Sequence, residues 1–242
     1  MQVWTRPVDY GGFSVSFSLT VGRWREKKFP ISKEVKRMSA TTLKRVRKEL
    51  RGEPTWEVAL LYPPQGTWSE EEYLELDTNR LVEFTAGRLE FLPMPTKSHQ
   101  KIVLYLVNIL SAFIEPRKLG QSIMAGFPVR ISAEKYREPD IVFLSSGSPE
   151  KDGERYWDGA DLVMEVVSRG NPNRDRIRKR REYAEAGIPE YWIVDPQKET
   201  ITVLALKKNS YAMHGEFKKG QKAASKLLPG FSVDVKAALE MK

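Results

Sequence analysis

The sequence predicts an α+β fold, α/β-like in its alternation, with a mixed sheet at its centre. Three observations carry that reading. Helical and strand-like runs follow one another in the order helix, hairpin, helix, three strands, helix, two strands. Residues 98–114 place Ile102, Val103, Leu106, Ile109, Leu110 and Phe113 on one broad apolar helix face. Two neighbouring runs, 137–144 and 161–168, are rich in β-branched and aromatic residues, yet each carries an acid where a buried strand would prefer none.

Composition narrows the chemistry. The 242 residues suffice for one large domain, with or without an appendage. There is no Cys, which excludes disulfides, thiolate zinc sites and a Cys nucleophile. His99 and His214 are the only histidines, too few for a multi-His metal site. No apolar run approaches the ~20 residues of a membrane span, and the first residues lack the charged-then-apolar layout of a signal peptide. With the missing Cys, this leads us to expect a cytoplasmic location and no membrane partner. Charge is uneven. Residues 1–52 hold 13 Lys/Arg against 4 Asp/Glu, and the rest hold 27 against 28. The net charge of +8 therefore belongs to the N-terminal segment, and the pI alone does not make the main domain a nucleic-acid binder.

Residues 1–55 read as a basic N-terminal extension, more readily a mobile tail than a dedicated nucleic-acid arm. Gly11, Gly12, Gly22 and Pro30 interrupt it. A short helix is predicted over 39–50, with Ser39 or Thr41 as cap. Met38 is a candidate start codon, which would make residues 1–37 an upstream artefact. The main domain spans 56–242. Thr67 or Ser69 caps a helix that ends near Leu76, with acids in its first turn. Residues 80–83 and 88–92 flank Ala86-Gly87 and predict a hairpin that Pro93 and Pro95 end. After the long helix, 126–132 alternates enough for a strand. A further helix starts at Asn171-Pro172-Asn173 and runs to Gly187. Residues 190–194 and 200–206 read as strands, 207–229 as an exposed hairpin or loop, and Leu228-Pro229-Gly230-Phe231 leads into a short terminal segment. There is no internal repeat.

The acids are the chemically informative residues. In the run 161–168, Leu162, Met164 and Val166 point to one face and Val163, Glu165 and Val167 to the other, so the strand is central and Glu165 at least partly buried. A buried carboxylate costs several kcal/mol unless it meets a cation or donors. Asp140 follows Pro139 at a strand entry. Two acids on neighbouring strands make an oxygen-rich site for Mg²⁺ or Mn²⁺; the alternative is an acid pair bridged by a Lys or Arg for structure. Asp175, Lys179 and Tyr183 are spaced to share one helix face. A Lys aimed at two carboxylates can hold a phosphate and stabilise developing charge, whereas most basic runs are solvated surface.

In combination these residues resemble a known family. Pro139-Asp140, Glu165-Val166-Val167-Ser168, and then Asp175, Lys179 and Tyr183 leading through Gly187-Ile188-Pro189-Glu190-Tyr191-Trp192-Ile193-Val194-Asp195-Pro196 are similar to the bacterial Uma-type endonucleases, within the restriction-endonuclease-like PD-(D/E)xK superfamily. Leu81-Val82-Glu83-Phe84 through Gly87, Leu92-Pro93-Met94-Pro95, His99 and Leu228-Pro229-Gly230-Phe231 extend the likeness over about residues 65–235. The resemblance implies a central mixed β-sheet flanked by helices and metal-dependent hydrolysis of phosphodiester bonds. By position it makes Asp140 and Glu165 the metal-binding acids. The superfamily's usual Lys would fall at Val167, which cannot serve, and Lys179 of the following helix matches instead. Glu83 matches a further acid, as a ligand or a water-orienting group. His99 matches a recurrent His at a helix start, in a phosphate-contacting, supporting or capping role. Asp195 reads as structural.

The expected activity is that of a Mg²⁺- or Mn²⁺-dependent endonuclease acting on DNA, with Arg174, Arg176, Arg178, Arg180 and Arg181 as candidate backbone contacts and a homodimer suited to double-strand cleavage. A non-catalytic nucleic-acid-binding module on the same fold and a metal-dependent RNA or nucleotide hydrolase compete with it. A glycosidase would use two carboxylates but leave Lys179 without a role.

Overall fold

The computed structural model describes residues 4–10, 13–19, 62–168 and 174–241. The chain divides into two compact units, 1–63 and 64–242. In the first, β1 (Trp4–Tyr10) and β2 (Phe13–Leu19) pair antiparallel with Tyr10 opposite Phe13. The extension read as a tail thus contains a strand pair. The helix expected over 39–50 lies outside the described residues.

In the second unit the local signals act as their chemistry requires. Helix α1 (Glu70–Leu74) starts at Ser69, whose hydroxyl accepts the Glu72 N–H while the Glu72 carboxylate accepts the Ser69 N–H. Strands β3 (Val82–Thr85) and β4 (Arg88–Phe91) form the expected hairpin. Its turn residues Ala86 and Gly87 have φ of 44° and 74°, the positive pair that a tight two-residue hairpin demands. A Cβ on Gly87 would lie 2.7 Å from the Gly66 carbonyl carbon, so glycine is needed there for space as well. Helix α2 (Lys97–Ile114) is capped by the Thr96 hydroxyl, which accepts the His99 N–H. It buries Ile102, Val103, Leu106, Leu110 and Ile114, each contributing about 1.5–3 kcal/mol on leaving water.

Next come β5 (Gly120–Met124), β6 (Val129–Ser132), β7 (Lys135–Arg137), β8 (Ile141–Ser145) and β9 (Leu162–Val166). A π-helical turn (Arg174–Lys179) leads directly into α3 (Arg180–Glu185). The chain ends with β10 (Glu190–Asp195), β11 (Thr200–Lys207), β12 (Ser210–Lys218), β13 (Lys222–Ala224), β14 (Ser232–Asp234) and α4 (Val235–Leu239). The central sheet has six strands in the order β12-β11-β10-β9-β8-β5. Only β9 and β10 run parallel, joined through α3 as a crossover; the other neighbours are antiparallel. A four-stranded sheet, β4-β3-β7-β6, stands apart from it.

Strand β9 is buried on both faces. Leu162, Met164 and Val166 pack with α2, Trp192 and Phe231, while Val163 and Val167 pack with Tyr183, Tyr191 and Tyr211 on the other side. The single run expected over 137–144 is in fact two strands in two sheets. Strand β7 ends at Arg137 in the smaller sheet and β8 begins at Ile141 in the central one. Glu138-Pro139-Asp140 is the crossing between them, where Pro139 has no N–H to offer either ladder. The strand expected over 126–132 starts only at Val129.

Candidate functional site

The crossing points acidic side chains into a cavity of about 780 Å³. Asp140, Glu165, Glu138, His99 and Lys179 line it, and Phe91 and Met94 form an apolar part of its rim. Four of the five expected catalytic residues belong to separate elements: Glu83 to β3, Glu165 to the middle of β9, Lys179 to the end of the π-helical turn, and His99 to the first turn of α2.

Glu165 is 3% exposed, as is Lys179. Lys179 Nζ lies 2.6 Å from Glu165 Oε1, and the Tyr183 hydroxyl donates to the same oxygen at 2.6 Å. Residues four apart on the helical segment thus grip one carboxylate oxygen, the arrangement their spacing suggests. Burial first, then the charge of Glu165, raises the Tyr183 pKa far above its ordinary value, so its hydroxyl remains a donor. Asp175, the third residue of that spacing, has a side chain outside the described residues, as do Arg174 and Arg176.

Glu83, on β3, is 1% exposed. Its Oε1 is 3.3 Å from Lys179 Nζ and its Oε2 3.5 Å from Arg137 Nε. Arg137, equally buried, donates from Nε and Nη2 to the two oxygens of Glu182 at 2.8 and 2.9 Å, and from Nη1 to the carbonyls of Phe84 and Tyr136. Burial alone would raise the Glu182 pKa; the hydrogen bonds and charge of Arg137 overcome that and hold it below the usual range. A chain of alternating charge therefore runs from Glu182 through Arg137 and Glu83 to Lys179 and Glu165.

Asp140 is held separately. Its Oδ2 accepts the Val166 N–H at 2.7 Å and lies 3.2 Å from His99 Nε2. The same His99 nitrogen is 3.1 Å from the Val166 carbonyl oxygen. Burial opposes protonation of His99, but the hydrogen bond to Asp140, that acid's charge and the Val166 carbonyl outweigh it and raise the pKa. His99 thus fills two roles: its backbone is part of the helix cap and its ring reaches the acids.

The donor set suits a hard cation. Carboxylates of Asp140 and Glu165 share the cavity, and the His99 nitrogen sits between Asp140 Oδ2 and the Val166 carbonyl as a positive group would. Oxygen donors of this type fit Mg²⁺ or Mn²⁺, which keep several waters when bound. Among the described residues, no three His, Asp or Glu side chains form a ready-made cage.

Two groups escape sequence reasoning. Arg137 reads as an ordinary strand entry, yet it anchors the charged chain. Glu138 is 8% exposed, and its Oε2 has no hydrogen-bond partner. Burial pushes its pKa up to about 7, against the pull of the Val82 N–H. Its place beside Pro139-Asp140 is the only sequence signal for it. The basic run is also more internal than its sequence suggests. Arg178 reaches Glu90 at 3.0 Å and Glu182 at 3.3 Å, and Arg180 donates to the Tyr211 carbonyl; among the described residues, Arg181 has a 3.6 Å contact with Glu185. Asp195 Oδ1 accepts the N–H groups of Gln197 and Lys198, which tightens the turn after β10.

The profile of the Uma2 family, described as "Putative restriction endonuclease", matches residues 70–236. The chain belongs to this family. A solved structure described as a putative nuclease of the DUF820 group from Anabaena variabilis ATCC 29413 superposes with a TM-score of 0.59 at 15% identity, over 71% of this chain and 97% of that one. It supports a restriction-endonuclease-like fold with a central mixed sheet. No curated protein matches the sequence. The Uma2 match covers every acid of the cavity, together with Lys179 and His99. Among the described residues, no helix is long and apolar enough to cross a membrane.

Proposed function

We propose that this Uma2 protein hydrolyses phosphodiester bonds of DNA with Mg²⁺ or Mn²⁺. The observation that supports this best is the meeting of Lys179, Tyr183 and Glu165 at 2.6 Å in a cavity that also holds Asp140. Asp140, Glu165 and the Val166 carbonyl would hold the cation, with Glu83 behind them as the acid that keeps Lys179 in place. When bound, the cation lowers the pKa of a water and neutralises phosphoryl charge.

The chain's own groups supply the rest. Tyr183 and Lys179 fix one oxygen of Glu165 and leave its carboxylate in a single orientation. Lys179 lines the cavity, so its ammonium offers positive charge to the phosphoryl oxygens as negative charge builds there. His99 steadies Asp140 and can neutralise a phosphate oxygen. Arg181 and its neighbours on the helical segment are the candidates for contacts along the backbone. Cutting both strands of a duplex calls for two such cavities, which favours a homodimer.

A second reading, a binding module without catalysis, draws on one observation: Lys179 already neutralises Glu165. Supercoiled-plasmid nicking separates the two. Cleavage should require Mg²⁺ or Mn²⁺, stop with EDTA, and fall at least ~10²-fold in Glu165→Gln, the scale of a lost electrostatic group. Salt-sensitive DNA binding with no cleavage in any metal would favour the binding module. Cleavage of RNA alone would move the substrate class.

A further inference from the structure

Glu138 stands out among the buried charges of the cavity. Asp140 has His99 and the Val166 N–H, and Glu165 has Lys179 and Tyr183. Glu138 Oε2 has no donor, although the residue is nine-tenths buried and lines the same cavity. An orphaned carboxylate oxygen costs more than an orphaned neutral group, and buried polar atoms in native proteins are nearly always satisfied. Neither Lys179 nor Arg137 donates to it. The cavity that its residue lines leaves room for a donor from outside the chain. Glu138 also forms part of the wall of a second hollow of about 410 Å³.

We propose that Glu138 is a further positioning residue for the reaction: its free oxygen accepts a hydrogen bond from a water in the cavity and turns that water's lone pair toward the phosphorus. This rests on the nuclease reading of the cavity and extends it. The covalent step is unchanged. The water oxygen bonds to phosphorus, the bond to the leaving oxygen breaks with its electron pair, one proton of the water passes to solvent, and the leaving oxygen gains one. Glu138 is distinct from the residues that would hold the cation, so its loss should be felt in turnover and not in metal affinity.

The test compares the full chain with Glu138→Gln, Glu138→Leu and Glu165→Gln. Three quantities are measured: kcat and KM for plasmid cleavage with Mn²⁺, Mn²⁺ affinity by electron paramagnetic resonance, and the melting temperature. Both Glu138 variants should lose at least tenfold in kcat, keep KM and Mn²⁺ affinity within about threefold, and melt at or above the wild-type temperature. A merely structural Glu138 would instead lower the melting temperature. The proposal is overturned by kcat within twofold of wild type, by a tenfold loss of Mn²⁺ affinity, or by a kcat loss that tracks a lower melting temperature in both variants. If Glu165→Gln cleaves as well as wild type, or the wild type cleaves nothing, the reading of the cavity itself fails, and Glu138 falls with it.

Discussion

Two buried glutamates, Glu138 and Glu190, show how differently one side chain can be housed. Glu190, at the start of β10, is 1% exposed. Its Oε1 accepts from Trp192 Nε1 at 2.7 Å and the Ser225 hydroxyl at 2.6 Å. Its Oε2 accepts the N–H groups of Lys226 and Leu227 at 2.7 and 2.8 Å. Neutral donors fill both oxygens, and the result ties the segment before β14 to the central sheet. Glu138 lies in the loop between two sheets with one oxygen unfilled. A saturated carboxylate with no room for a ligand works as a structural clamp. An unsaturated one beside a cavity is costly to fold around and is explained only by what enters the cavity.

That contrast is sharpest in stability measurements. Glu190→Ala should cost about 3–5 kcal/mol, because it leaves two backbone N–H groups, a Trp N–H and a buried hydroxyl without their acceptor. Urea unfolding followed by tryptophan fluorescence checks this; a loss under ~1 kcal/mol would remove the distinction between the two glutamates.

The next effect belongs to the charged chain behind the cavity. Glu182→Gln should cost about 3 kcal/mol at pH 7 by leaving Arg137 buried with half its partner gone. The sign of its pH dependence follows from the depressed Glu182 pKa. A carboxylate depressed on folding adds stability above its unfolded pKa, and loses it as pH falls through the lower folded value. The gap between wild type and Glu182→Gln should therefore be widest near neutrality and close in acid, where wild-type Glu182 is protonated too. Unfolding curves across that range test it; a gap that widens in acid would reverse the assignment.

Much of the central sheet was legible because local rules and burial agree there. The two-faced pattern of β9 requires a central strand, and the alternation from Leu162 to Val167 leaves Glu165 as its one exception. The spacing of Lys179 and Tyr183 likewise predicts a shared target, and Glu165 is that target. What was not legible depends on partners distant in sequence. Strand β5 is an edge strand of half-buried and exposed residues without strict alternation, so only its pairing with β8 defines it. The 137–144 run looks continuous until the chain changes sheets at Pro139. Arg178 reads as one of a run of basic residues, and its bond to Glu90 ties it to a hairpin 88 residues away. Beyond its place beside Pro139-Asp140, the sequence gives no sign of Glu138's part, because an orphaned oxygen is a property of the packed structure alone.

The smallest expected effect lies on that same basic run and separates its members. Arg178 and Arg180 have partners within the fold, whereas Arg181 keeps 74% of its side chain exposed and contacts Glu185 only at 3.6 Å. An exposed i,i+4 pair of this kind is worth at most ~0.5 kcal/mol. Arg181→Ala should therefore leave unfolding almost unchanged. If Arg181 meets a phosphate, the variant should weaken DNA binding uniformly across sequences and reduce the slope of log K against log salt by about 1. Arg178→Ala should do the opposite, costing stability through Glu182 and altering the salt slope less. Binding isotherms at several salt concentrations for both variants decide the matter. Equal slopes for wild type and Arg181→Ala would place the backbone contacts elsewhere on the molecule.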